Sequence, residues 1–255
     1  MIKKEYRQLQ QEAVRIAEKY PEPDFYSDFS AEVVRARRFF ARDTVVCALW
    51  RLVVENIEND FGHGLQHVRS VALDAGALIL IECRGMNASG EQFEHRMRLA
   101  QAAGLLHDIR RKEKNHAAAG ARFARQALRD YPFSESDIED ICLAIGNHEA
   151  FGRNLGGGTA VSSLVSDCLY DADKFRWGPE NFTRTLWAMV SYRDVPLEVF
   201  LSHYPGGMAY LKKIRSTFRT PTGKQYGPQI IDLGVAIGKE LYEFIRKQYA
   251  ENIRS

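Results

Sequence analysis

Histidines and aspartates in apolar surroundings are the residues of this sequence whose types and spacing could do chemistry. Seven histidines are present, and six fall between residues 63 and 148: His63, His67, His95, His107, His116 and His148. Imidazole is a good ligand for zinc, manganese, iron and nickel, and a carboxylate beside it adds charge and hardness. The pair His107-Asp108 closes the apolar run AAGLLHDI. Adjacent residues on a helix point about 100° apart, so both reach one ion only where the helix end faces a cavity. A carboxylate that follows two leucines is costly to bury without a cation. The plainer alternative is a core histidine followed by a capping or salt-bridged aspartate. His63 and His67, in FGHGLQHVRSV, stand four apart and share a helix face. That spacing suits a metal pair and also occurs by chance. Asp171 and Asp173 lie at opposite edges of the stripe Val161, Leu164, Val165, Cys168, Leu169 and Ala172. Periodicity does not choose between them.

The elements that must position these residues read as helices. Helical periodicity is expected over 3–20, 31–59 with a break near Arg42-Asp43, 62–83, 93–108, 116–128, 134–146 and 160–175. Pro21 and Pro23 close the first of these, because proline disfavours helix in the residue before it. Asn59 and Asp60 are candidate N-caps for the third, and the SESD start gives the sixth its cap and acidic first turn. RGMNASGEQ, RRKEKN and FGRNLGGG have loop composition. Residues 179–255 read as two or three more helices, separated by turns at Pro205-Gly206-Gly207 and in TPTGKQYGPQ. With no strand pair and no repeat, the expectation is all-α: one compact multi-helix domain over 1–255. Its core spans about 60–180, with N-terminal helices 1–58 and C-terminal helices 180–255 packed on it.

Composition narrows the partners. Apolar residues make up 45% of the chain, enough for a core without staples. The formal net charge is only +2, which points to neither a nucleic acid nor a membrane as partner. The basic run at 110–114 is short and has no interleaved aromatics, which argues further against nucleic acid. Cys47, Cys83, Cys142 and Cys168 form no C-x-x-C pair and sit in apolar or helical runs, as reduced buried thiols do. The start MIKKEYRQLQ is polar, unlike a signal peptide, and no apolar run reaches the roughly 18 residues that span a bilayer. A soluble, cytoplasmic protein is the expectation.

Taken together, the order His67, then His107-Asp108 about 40 residues on, then an aspartate about 65 residues beyond, resembles the HD superfamily of metal-dependent phosphohydrolases. GHGLQHVRSV is similar to that family's first-histidine helix, AGLLHDI to its namesake pair and LYDADKF to its last-aspartate helix. The resemblance covers about 60–180 and implies a divalent ion held by His67, His107, Asp108 and Asp173. Asp173 is favoured because the family's last ligand follows an alanine and precedes a basic residue, as in Ala172-Asp173-Lys174. Asp171 is then an alternative ligand or an orienting neighbour. His116, opening an H-x-x-x-G start, and His148-Glu149 look like the extra ligands of two-metal members. Asn147 stands where the cyclic-dinucleotide branch has a histidine, so one ion is expected and two are possible. The histidine-rich set favours Mn, Fe, Ni or Zn over Mg.

The activity this implies is hydrolysis of a phosphate ester, of a nucleotide or another small phosphorylated metabolite, by metal-activated water. Asp108 would orient the water, and His116 or His148 would protonate the leaving oxygen. Arg111, and less directly Arg110, would bind substrate phosphate. Two other readings remain open: an HD-type di-iron oxygenase using all six of His67, His107, Asp108, His116, His148 and Asp173, and a regulatory module that binds a ligand without turnover.

Overall fold

The computed structural model describes residues 4–57, 64–84, 86, 89–152, 156 and 158–254. Among these the chain forms α-helices and no strand: α1 (Lys4–Ala17), α2 (Asp24–Asp28), α3 (Ser30–Arg42), α4 (Thr44–Asn56), α5 (Leu65–Glu82), α6 (Gly90–Leu106), α7 (His116–Ala127), α8 (Glu135–Gly146), α9 (Ala160–Phe175), α10 (Leu186–Tyr192), α11 (Leu197–Ile214) and α12 (Pro221–Arg254). Asp43 explains the break after α3. Its carboxylate accepts the Val46 N–H as the N-cap of α4 and is gripped by Arg98 from α6, 2.7 Å away. The expected third-helix caps Asn59 and Asp60 lie outside the described residues, as does His63.

The centre of the fold is the pair α5 and α6. Both are buried on most faces, as expected of helices apolar nearly all round. Small residues let them approach closely: a Cβ on Gly104 would lie 2.6 Å from the Ala72 Cα on α5. On one side α8 packs against α7 and α9. On the other, α3 lies on α5 and α4 on α6. Ser134 and Thr159 cap α8 and α9 with reciprocal capping boxes, fixing where those helices start.

The C-terminal part differs from the expected turns. Pro205, Gly206 and Gly207 lie inside α11, because Phe200, Tyr204, Met208 and Leu211 keep one apolar face running through them. TPTGKQYGPQ is likewise the start of the long α12. Thr220 caps it by accepting the Gly223 N–H at 2.8 Å, and Pro221 takes the first helical position, where its missing N–H costs nothing. The glycines there serve close packing. A Cβ on Gly223 would collide with the Asp171 carboxylate, and one on Gly234 would lie 2.8 Å from the backbone of Gly178.

Candidate metal centre

Five helices, the central pair among them, converge on one site. Helix α5 contributes His67 from its first turn. Helix α6 stops at Leu106, so His107 and Asp108 stand at its C-terminal end, where Asp108 lines a cavity and His107 is fully buried behind it. His116 opens α7. His148 follows the end of α8, and α9 supplies Asp173 from its last turn. All six are buried. His95 is elsewhere, paired with Asp137 at 2.9 Å.

The six side chains form two groups sharing one carboxylate. In the first, His67 Nε2 is 3.2 Å from His107 Nε2 and 3.3 Å from Asp173 Oδ1. Asp108 Oδ2 lies 3.6 Å from the former nitrogen and 3.5 Å from the latter. In the second, His116 Nε2 and His148 Nε2 are 3.2 Å apart, each 3.5 Å from the other Asp108 oxygen, Oδ1. Asp108 thus turns one oxygen to each group.

The tautomers suit a cation. His107 Nδ1 donates to the Gly104 carbonyl at 2.8 Å, and His148 Nδ1 to the Ile145 carbonyl at 2.6 Å. A carbonyl only accepts, so the proton sits on Nδ1 and Nε2 presents a lone pair. Glu149 Oε1, 2.9 Å from His116 Nδ1, does the same for His116. Burial pushes the His107 imidazole down to about 3, against the pull of Asp108 and Asp173. Burial, helped by Arg111, pushes His116 down to about 4. Burial works to raise the Asp173 carboxyl, but the Lys174 ammonium, with Nζ 2.5 Å away, and the His67 hydrogen bond hold it well below the usual carboxylate range. Imidazole nitrogens and carboxylate oxygens aimed inward are the donor set a divalent transition metal needs. Each group, His67-His107-Asp173 and Asp108-His116-His148, brings its ligand atoms within 4.8 Å of one another.

Neighbouring residues separate cleanly. Asp171 is not brought into the cluster. Its carboxylate accepts the Arg219 and Thr220 backbone N–H groups at 2.8 Å and the Thr220 hydroxyl at 2.7 Å, just before α12. Arg111 is at the centre: Nη1 lies 2.5 Å from His116 Nε2 and 3.7 Å from Asp108 Oδ1. Arg110 is not. Its guanidinium stacks over the Phe123 ring at 4.4 Å, with Glu113 3.9 Å from its Nε. Glu149 belongs to the His148-Glu149 pair already expected near the site, whereas Lys174 is a site residue that the motifs do not assign. A lysine in the buried half of a helix is the signal that marks Lys174. Trp177 and Tyr210, which line the 370 Å³ cavity over Asp108, carry no such signal.

Residues 64–178, the segment carrying this cluster, match the family model described as HD domain, consistent with the HD-domain superfamily, whose members generally bind divalent metals as hydrolases. No curated protein and no solved structure matches the chain. No described helix is long and apolar enough to cross a membrane. The four cysteines are free, three of them buried.

Proposed function

We propose that the protein is a metal-dependent phosphohydrolase acting on a small phosphorylated metabolite, with one divalent ion held by His67, His107, Asp108 and Asp173. The observation that carries this reading is Asp108, set between the first group and an Arg111 guanidinium already lodged against the second. A bound ion there supplies Lewis acidity and activates water.

The protein's own groups supply the rest. Arg111 offers a phosphate the planar fork it now turns toward His116. Its cation also balances phosphoryl charge as that charge grows. His116 and His148 both turn Nε2 toward Asp108 Oδ1, and one of them takes a proton from the attacking water there and returns it to the leaving oxygen. Glu149 steadies His116 through Nδ1, as Gly104 steadies His107. Lys174 keeps Asp173 ionised. Burial of His116, His148, Asp173 and Lys174 limits bulk water around them and strengthens their interactions, while Arg111 and Glu149 stand partly exposed at the edge.

The test is phosphate release from a panel of phosphomonoesters and nucleotides by protein loaded with Mn, Ni, Fe, Zn or Mg. Metal-dependent turnover that falls at least about a hundredfold in Asp108→Asn supports the reading. No release with any metal contradicts it. The bridging geometry of Asp108 also favours a second reading, a di-iron oxygenase. Two irons per chain with oxygen uptake and no phosphate release would put that reading first.

A further inference from the structure

A second chamber, of about 520 Å³, opens beside the cluster, large enough for an organic ligand of ordinary size. It shares His67 and Arg111 with the cluster, and Trp177 and Tyr210 line both this chamber and the polar cavity over Asp108. These two rings, 5.4 Å apart between centroids, therefore stand where the cavities meet. One molecule can occupy both.

The walls come from the segment 181–211 and are largely apolar, with Phe182, Leu186, Met189, Val190, Phe200 and Leu211 among them. Asn181, Thr185 and Arg193 also line the chamber, and several of the other polar groups at the wall are engaged elsewhere. The Tyr204 hydroxyl donates to the Gly238 carbonyl at 2.8 Å, and His203 Nδ1 lies 2.7 Å from the Val199 carbonyl. Arg176 is neutralised behind the wall by Asp74, with Tyr26 and Glu180 beside it. A nucleobase needs donors and acceptors at fixed points. These walls offer instead aliphatic surface and flexible methionines, which mould to a chain without directional bonds.

We infer that the substrate is a phosphate ester of an apolar alcohol, with the phosphate over Asp108 and Arg111 and the chain filling the chamber beside α10 and α11. This rests on the hydrolase reading and narrows it. In the reaction, water forms the new P–O bond, the bond from phosphorus to the alkyl oxygen breaks, and the alcohol leaves with a proton, giving inorganic phosphate.

The experiment compares n-alkyl phosphates from ethyl to decyl with a nucleoside monophosphate on the metal-loaded protein, alongside calorimetric binding of the matching alkylphosphonates. Each buried methylene should raise kcat/KM about threefold to fourfold until the chamber fills. Met189→Glu, and Val199→Glu at the chamber's exposed mouth, should flatten that dependence. Met189→Leu should keep it. Turnover that ignores chain length, or that favours the nucleoside monophosphate over decyl phosphate, overturns the inference and leaves the hydrolase reading standing. No turnover, but phosphonate binding that tightens with chain length and is lost in Met189→Glu, supports the chamber while sinking the hydrolase. Neither turnover nor binding sinks both.

Discussion

Asp171 and Asp173 stand two residues apart on α9 and should fail in opposite ways when changed. Asp171 is fully buried and holds two backbone N–H groups and a hydroxyl at 2.7–2.8 Å, tying α9 to the start of α12. A hydrogen bond to a charged group is worth about 1.5–3 kcal/mol. Against three of these stands the cost of burial, which pushes the carboxyl up to about 6 despite its donors. The net loss expected for Asp171→Ala is about 3 kcal/mol, the upper end of ordinary single-substitution losses. For a chain of this size that lowers Tm by about 6–12 °C. Asp171→Asn, which keeps one acceptor oxygen, should lose about half as much. Both variants should retain the metal content of the wild type. Asp173→Asn should do the reverse, losing most of the metal with a smaller effect on the metal-free protein's Tm. Circular dichroism melts and metal analysis on the same preparations read both quantities. An Asp171→Ala protein that melts like the wild type yet arrives without metal would refute the assignment.

Other outcomes follow from the same geometry. Arg111→Ala should lower kcat/KM about tenfold to a hundredfold, the worth of a charged phosphate contact, while Arg110→Ala should stay within about twofold. Steady-state kinetics on any hydrolysed ester checks this, and equal losses would contradict the separation of the two side chains. Gly104→Ala should cost about 1–3 kcal/mol in urea unfolding, because its Cβ would press on the Ala72 backbone. Gly206→Ala, whose Cβ meets no atom within 4 Å, should instead stabilise by about 0.5–1 kcal/mol. A loss there would mean that the Pro205-Gly206-Gly207 segment is a turn after all. Removing metal with a chelator should destabilise by about 2.7 kcal/mol relative to metal at a hundredfold over its Kd, visible as a Tm lower by about 5–10 °C.

Helices α7 and α9 stand almost where periodicity puts them, because their apolar stripes and caps are local signals. The choice between Asp171 and Asp173 was not local. Both flank one stripe, and only the neighbours decide: the start of α12 on one side, the histidines on the other. Arg110 and Arg111 pose the same problem at a turn, where one step in sequence reverses the direction of a side chain. The glycines and prolines of TPTGKQYGPQ read as turns because composition does not reveal close packing, whereas Gly206 and Gly207 meet open space and are carried in α11 by its apolar face. At Gly223 and Gly234 the missing side chain makes room for Asp171 and for Gly178, which a sequence alone does not expose. The chamber was illegible for a related reason. Its lining is ordinary apolar sequence, and its meaning comes only from adjoining Asp108.

The central claim is that His107 and Asp108 are ligands rather than a core histidine and a cap. Metal per chain, measured on gently purified protein and again after reconstitution with Mn, Ni, Fe or Zn, tests it most directly, with a His107→Ala, Asp108→Ala double variant alongside. About one ion per chain in the wild type and little in a folded variant is the expected result. Equal metal in both, or none in either after reconstitution, would contradict the account.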